Sequence, residues 1–135
     1  NCVYSAVQAN VNVRATLGKA TGDNNGDLTR LGMGIKQSGT NPLQVNVHNG
    51  TTATTSTNST FTPTVNVAFD WRVVSDGAGN VTLFVNDSQV ASTTGGPTAQ
   101  TTNTTNFLQY EIDCSANLST QSIASIGNPK IFQGR

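Results

Sequence analysis

The amino-acid sequence predicts an all-β fold, a two-sheet antiparallel β-sandwich (jelly roll), and three observations support this. Apolar and polar residues alternate in several short segments, which is typical of strands with one buried face. The chain has 21 Thr, 16 Asn and 11 Ser; Thr favours strands, and Asn and Ser favour turns. No segment keeps an apolar period of about 3.6 residues, so no helix is expected. The length fits one domain over residues 1–135.

Three strands are predicted in the first half of the chain. In residues 7–16, valines and alanines at odd positions alternate with polar residues, and a loop rich in Gly, Asn and Asp follows over 18–27. Residues 31–36 alternate between large apolar residues and Gly32, Gly34 or Lys36, and glycine on a strand face marks a bulge or a close backbone approach. Residues 43–48 alternate again and end at Asn49-Gly50, a strong turn signal.

The most regular pattern lies in residues 65–90, VNVAFDWRVVSDGAGNVTLFVNDSQV. Apolar and aromatic residues at odd positions from Val65 to Val73 predict a strand with one face in the core. Turn-forming residues over 75–80 and at Asn86-Asp87 separate this strand from two further strands. We therefore expect a three-stranded antiparallel meander. The preceding Thr/Ser tract at 51–60 is compatible with a hairpin, a disordered loop or an O-glycosylated patch.

The last part of the chain contains three more predicted strand segments after a polar connection over 91–106. Residues 108–114 place apolar side chains on one face, and Gln109, Glu111 and Asp113 on the other. Residues 123–126 and 130–132 close the domain. The total of nine or ten strands, at spacings of roughly 8–15 residues, is typical of a sandwich or jelly roll.

Charge is sparse and balanced, with seven basic and seven acidic side chains. A net charge of zero removes the electrostatic case for binding nucleic acid or an anionic membrane. No apolar run approaches the ~20 residues of a membrane-spanning helix, so no membrane insertion is expected.

The two cysteines, Cys2 and Cys114, are predicted to form a disulfide, with two buried free thiols as the alternative. The chain begins Asn1-Cys2 without Met, which indicates a removed leader or a trimmed chain. Closing so long a loop stabilises by roughly 4–5 kcal/mol on the chain-entropy model. A disulfide implies an oxidising compartment, so a secreted or extracellular protein is expected.

A family resemblance rests on Trp71-Arg72-Val73, Asp76-Gly77 and Leu83-Phe84-Val85-Asn86. This order of a W-x-V strand, a glycine turn and an L-x-V strand ending in a turn residue resembles the concanavalin A-like lectin/glucanase superfamily, including laminin-G-like domains. Residues 31–35 with 43–45, and 126–132, are weaker matches to its preceding hairpin and closing strand. The match covers about 25 of 135 residues, and Asp87 stands where the family usually has Gly. The resemblance implies two stacked curved sheets and, in many members, carbohydrate binding, although fold alone does not decide function.

Glycan binding requires an aromatic face beside hydrogen-bonding groups. Trp71 shares its face with Val67 and Val73, so we expect it to pack in the core. Phe84 alternates away from the core, and Asp70 and Arg72 fall on the same open side of the sheet. We therefore predict Asp70, Arg72 and Phe84 as glycan-binding residues of a secreted, non-catalytic, lectin-like domain.

Catalytic signals are weak, and no catalytic residue is predicted. Glycosidases use a pair of carboxyl groups; Glu111 and Asp113 share a strand face, but the richer glucanase motif of the superfamily is absent. His48, the only histidine, is expected on an outward, solvent-exposed strand face. The sequence holds no Ser-His-Asp motif, phosphate loop or zinc-ligand spacing. A hydrolase or lyase is the third and weakest hypothesis.

A calcium site is one interpretation of Asp23, Asn25 and Asp27, which place oxygen ligands at alternate loop positions. A polar hairpin loop without metal is the other interpretation. Asp76, near Gly79-Asn80, is a poorer second candidate.

Six N-x-S/T sequons, all in predicted loops or turns, are candidate N-glycosylation sites. They are Asn49, Asn58, Asn80, Asn86, Asn103 and Asn117. A weakly charged domain that carries several glycans also fits a structural, self-assembling extracellular or cell-surface glycoprotein, such as a coat or fibril subunit. Such a protein would associate through strand edges or flat Thr/Asn-rich faces. This is the alternative to carbohydrate binding.

Overall fold

The computed structural model describes residues 2–4, 11–17, 28, 31–51, 55–98, 108–114 and 124–126, and the regular structure in these ranges is all β. All strand pairs are antiparallel, which confirms the predicted all-β class. Within the same ranges no helix is long and apolar enough to cross a membrane. The strands are β1 (Cys2–Tyr4), β2 (Val11–Leu17), β3 (Gly32–Ser38), β4 (Gln44–His48), β5 (Thr55–Asn58), β6 (Trp71–Ser75), β7 (Val81–Val85), β8 (Ser88–Thr93), β9 (Leu108–Cys114) and β10 (Ala124–Ile126).

The largest sheet has five strands in the order β5-β4-β3-β2-β9. The strands β2, β3 and β4, predicted from alternation, are neighbours, and β9 pairs with the other side of β2. Strand β5 lies in the Thr/Ser tract and pairs with β4, with Val45 opposite Thr57. Of the three alternatives for this tract, the hairpin is therefore present.

The second sheet is the predicted meander, with strand order β6-β7-β8. Trp71 lies opposite Val85, and Leu83 lies opposite Ala91. The β7–β8 turn has positive φ at both central residues, 48° at Asn86 and 63° at Asp87. Consecutive left-handed residues are what a two-residue hairpin turn requires, and Asn and Asp tolerate them best after Gly.

The strand that we predict from Val65 begins only at Trp71, so its first half is wrong. Asn66 has a φ of 57°, and the Val67 N–H donates to the Thr64 carbonyl at 3.2 Å, which makes this segment a turn. Val65 and Val67 are 42% and 53% exposed. One residue in the left-handed region is enough to break an extended path, and an alternating sequence does not reveal it.

A third sheet consists of two strands, β1 and β10. Its strand β1 is also hydrogen-bonded to the segment just before β6. The Cys2 N–H donates to the Phe69 carbonyl at 2.7 Å, and the Phe69 N–H donates back to the Cys2 carbonyl at 2.9 Å. Phe69 is buried, and its ring centroid lies 5.1 Å from that of Phe61 in a tilted contact. The start of the chain is thus hydrogen-bonded beside the meander.

Among the residues that the structure describes, one apolar cluster joins the two larger sheets. Trp71 packs against this core from β6, half-buried, on the face that the alternation predicts. The buried members come from β2, β3 and β4 on one side and from β7 on the other, so side chains of both sheets meet in one cluster. They are Val13, Ala15, Ile35, Val45 and Val47, with Val81, Leu83 and Val85, and with Cys2, Leu43 and Phe69 from the flanking segments.

On the opposite face of the five-stranded sheet, several described side chains of β2, β3 and β4 are buried although they are polar. They are Arg14, Thr16, Lys36, Asn46 and His48. The Leu28 N–H donates to Asn46 Oδ1 at 3.3 Å on this face, and Leu28 is itself buried. His48 is only 7% exposed, so the expectation that it is a solvent-exposed residue is wrong. When both faces of a sheet are covered, a polar residue at an alternate position no longer indicates solvent.

Gly34 allows two strands to approach closely on this polar face. It lies opposite Thr16 on β2 and Asn46 on β4. A Cβ atom added at Gly34 would lie 2.5 Å from the Thr16 Cα. The glycine signal in β3 therefore marks a close backbone approach, one of its two predicted meanings.

Candidate functional site

The predicted glycan-binding residues lie on the face of the meander that is turned away from the core. On β6, Trp71 and Val73 pack against the core, so Arg72 and Val74 point outward and are exposed. On β7, alternate residues are buried, which leaves Thr82 and Phe84 on the same outward side. We call this surface the outer face; it consists of Asp70, Arg72, Val74, Thr82, Phe84, Asn86, Gln89 and Ser92.

Arg72 and Phe84 are direct cross-strand partners on the outer face. The guanidinium carbon of Arg72 lies 4.6 Å from the centroid of the Phe84 ring. This is a cation–π contact, and such contacts contribute about 0.5–1 kcal/mol at exposed sites. The ring is half-buried and the arginine is exposed. The stack therefore holds a planar set of N–H donors at the surface, over an apolar base.

Asp70 occupies the next row of the outer face, opposite the turn residue Asn86. The Asp70 N–H donates to Asn86 Oδ1 at 2.9 Å, and the Asn86 N–H donates to the Asp70 carbonyl at 3.0 Å. Both residues are exposed. The two bonds fix the backbone of Asp70 against the turn, so the structure brings the three predicted residues together on one face.

Gln89 and Ser92 also belong to the outer face, and sequence reasoning missed them. Gln89 pairs with Phe84 and Ser92 pairs with Thr82, on either side of a bulge in β8. Both side chains are exposed. The extra residue of a bulge lets an odd and an even position share one face, so strict alternation cannot place them together.

The predicted calcium ligands Asp23, Asn25 and Asp27 lie outside the described residues. The second candidate, Asp76, is engaged by its own loop. Asp76 Oδ1 accepts the Ala78 N–H at 2.7 Å and the Asn80 N–H at 3.1 Å, and the Asn80 side chain donates to Oδ2. Bonds from the Asn80 side chain and the Ala78 N–H hold the pKa of Asp76 below its usual 3.8. In the described part of the chain, no group of three or more His, Cys, Asp or Glu could hold a metal ion.

Glu111 and Asp113 are both on β9, at register positions opposite Arg14 and Asn12 of β2. Arg14 is buried, and its other neighbour in register is Lys36 on β3. The side chains of Glu111 and Asp113 lie outside the described part of the structure. The register therefore places one carboxyl-bearing residue beside two cationic ones, in a row that crosses three strands.

Four of the six sequons fall on described residues. Asn58, Asn80 and Asn86 are exposed, and Asn49 is partly exposed. Asn58 is the last residue of β5 rather than a loop residue, because the Thr/Ser tract forms a strand. Asn103 and Asn117 lie outside the described residues.

The structure describes the side chain of only one of the two cysteines in the predicted disulfide. Cys2 is 1% exposed and belongs to the shared core. Cys114 is the last residue of β9, opposite Val11, and its side chain lies outside the described part. The disulfide stays a prediction.

Comparison with known proteins gives no relative from which a role could be transferred. The chain matches no protein-family model, no curated protein sequence and no solved structure. The site described above therefore rests on its own geometry.

Proposed function

We propose that this chain is a secreted, non-catalytic carbohydrate-binding domain whose ligand, a glycan or polysaccharide, lies on the outer face. The observation that carries the proposal is the Arg72–Phe84 stack on an open sheet face, with Asp70 in the next row. A lectin-like β-sandwich of the jelly-roll type is part of the proposal. Its support is the core that the two larger sheets share and the resemblance of residues 65–90 to concanavalin A-like domains.

The chemistry of the outer face complements a pyranose ring. The C–H face of a sugar packs on aromatic and guanidinium planes. Sugar hydroxyls both donate and accept, and the face offers pure donors on Arg72, a carboxylate acceptor on Asp70, and amides on Asn86 and Gln89. An open face buries less of a ligand than a cleft, so we expect micromolar-to-millimolar affinity, about −4 to −8 kcal/mol.

The test is binding to a panel of immobilised glycans and polysaccharides, with protein that carries no N-glycans, because a glycan on Asn86 would cover the same face. Any ligand found is then titrated against Phe84→Ala and Arg72→Ala. Each variant is expected to weaken binding by about tenfold or more, because each removes half of the stack.

The controls separate this site from general surface effects. Asp70→Asn removes an acceptor charge from the outer face, and Asp87→Asn removes the same charge from the neighbouring turn. Only Asp70→Asn is expected to weaken binding. Undiminished binding by both stack variants, or no binding to any glycan on the panel, would count against the proposal.

Self-assembly is the second candidate, and exposed apolar residues beside an edge strand favour it. Within the described residues, β6 is an outer strand of its sheet, and Val65, Val67 and Val74 beside or on it are each more than 40% exposed. Exposed valines beside an edge strand favour pairing with another chain. Light scattering and electron microscopy test self-assembly. If the protein forms filaments or large particles, Val67→Lys reduces them, and no glycan binds, self-assembly would be favoured over carbohydrate binding.

A further inference from the structure

We infer that the β4–β5 loop modifies itself: Asn49 is converted to aspartate or isoaspartate through a succinimide, with His48 as general base. The inference is independent of carbohydrate binding, because the loop is on the five-stranded sheet and the outer face belongs to the meander. It rests on three hydrogen bonds that converge on the atoms of the Asn49-Gly50 pair.

The nucleophile of this reaction is the backbone nitrogen of Gly50. Its N–H donates to His48 Nδ1 at 2.8 Å. An amide nitrogen only donates, so in this geometry Nδ1 is unprotonated and can receive the proton. His48 is nearly buried, so its imidazole is held beside the loop rather than free to rotate in solvent. Glycine has no Cβ to obstruct the approach of its nitrogen to the preceding side chain, and Gly50 has a φ of 96° that other residues rarely adopt.

The electrophile is the side-chain amide carbon of Asn49, and its oxygen is already polarised. Asn49 Oδ1 accepts the Thr51 N–H at 2.9 Å and the Thr51 hydroxyl at 3.1 Å. Two donors on one carbonyl oxygen are placed where negative charge develops when the carbon becomes tetrahedral. The loop therefore has a base on the nucleophile and an oxyanion site on the electrophile.

The reaction balances without any group from outside except water. The Gly50 nitrogen gives its proton to His48 Nδ1 and forms a bond to the Asn49 side-chain carbon, and the negative charge on Oδ1 is stabilised by Thr51. The bond from that carbon to Nδ2 then breaks, and ammonia leaves with the proton that His48 returns. Water opens the resulting imide at either carbonyl, which yields aspartate or isoaspartate. The product no longer has the amide nitrogen that N-glycosylation needs, so the two fates of Asn49 exclude each other.

The experiment follows the mass and the isoaspartate content of the peptide that contains Asn49 during incubation of the purified protein at neutral pH. The same protein unfolded in urea gives the intrinsic rate of the sequence. The reaction rate of Asn49 is expected to be at least about tenfold higher in the folded protein. This increase is smaller than the ~100-fold or more that a positioned general base contributes in enzymes. Asn25-Gly26, in the same chain, is the internal reference for solvent and temperature effects.

Two variants test the assigned groups. His48→Asn keeps a hydrogen-bond acceptor near the position of Nδ1 but removes the base. Thr51→Val keeps the side-chain shape but removes the hydroxyl donor. Each variant should slow the reaction at Asn49 and leave the rate at Asn25 unchanged. Circular dichroism verifies that each variant folds. If His48→Asn does not fold, the inference is still tested by Thr51→Val and by the ratio of the Asn49 reaction rates in the folded and unfolded protein. A folded rate no higher than the unfolded rate, or a rate unaffected in both folded variants, overturns the inference.

Discussion

Arg72 and Asp76 are both exposed charged residues of the meander, and each is held by its neighbours. Arg72 stacks on Phe84, whereas Asp76 accepts hydrogen bonds from Ala78 and from two nitrogens of Asn80. The Arg72 side chain is exposed above the Phe84 ring. Asp76 uses its carboxylate to close the β6–β7 loop, so it is a structural residue.

Asp76 gives a prediction on pH. Its pKa is lowered by the Asn80 side chain and the Ala78 N–H, so the charged form is favoured in the folded state. Its contribution to stability is therefore present above the usual value of 3.8 and is lost as pH falls through the lower, folded-state pKa. We expect the difference in urea midpoint between the protein and Asp76→Asn to shrink as pH falls below 3.8. A difference that stays constant over that range, or an equal trend for Asp87→Asn, would contradict this assignment.

The β7–β8 hairpin shows how one element depends on the conformation of two turn residues. Both Asn86 and Asp87 are left-handed, but only Asn86 uses its side chain within the meander, where Oδ1 accepts the Asp70 N–H. Asp87 is exposed and stands at the position where the lectin-like resemblance calls for glycine. The Asn86 side chain therefore contributes a hydrogen bond to the meander, whereas Asp87 only adopts the left-handed conformation that the turn requires.

Asp87→Gly is expected to stabilise the protein by about 0.5–1 kcal/mol. A left-handed L-residue costs about 1–2 kcal/mol, and glycine removes this cost while adding about 0.4–1 kcal/mol of unfolded-state entropy. Asn86→Gly is the matched control, and it should give no gain because it also removes the acceptor for Asp70. Urea denaturation measures both; equal gains for the two variants would mean that the Asn86 side chain has no structural role.

The whole molecule depends on the core that the two larger sheets share. Leu83 is fully buried in β7 and belongs to the same cluster as Val45 and Val47 of β4. Because neither sheet has a separate apolar core among the described residues, we expect the two sheets to unfold together.

Leu83→Ala is expected to lower the free energy of unfolding by about 2–5 kcal/mol. Trp71, the only tryptophan, reports on the meander by fluorescence, and circular dichroism reports on all strands. The two signals should change at the same urea concentration in the wild type and in the variant. The control Val74→Ala, on the exposed outer face, should cost less than about 0.5 kcal/mol. Two separate transitions would show that the sheets are independent units.

Some residues of the fold and of the site could be placed from the sequence, and others could not. The alternation of β4 and β7, and the turn at Asn86-Asp87, correspond to the structure because they are set by local rules of strand pleating and turn conformation. Val65 and Val67 follow the same alternation, yet a left-handed Asn66 places them in a turn. Asp70, Arg72 and Phe84 could be assigned to one face, but Gln89 could not, because the bulge in β8 is a property of strand pairing.

By itself, the sequence determined the all-β class, the meander and the side of it that faces away from the core, because each depends on side chains a few residues apart. Only the tertiary structure decided that polar residues of β2, β3 and β4 are buried, that His48 contacts the Gly50 amide, and that Arg72 stacks on Phe84. The burial and the Arg72–Phe84 stack depend on which strands become neighbours and on what covers them. The His48–Gly50 contact joins residues only two positions apart, but it depends on the backbone conformation at the end of β4. Local periodicity carries no record of either.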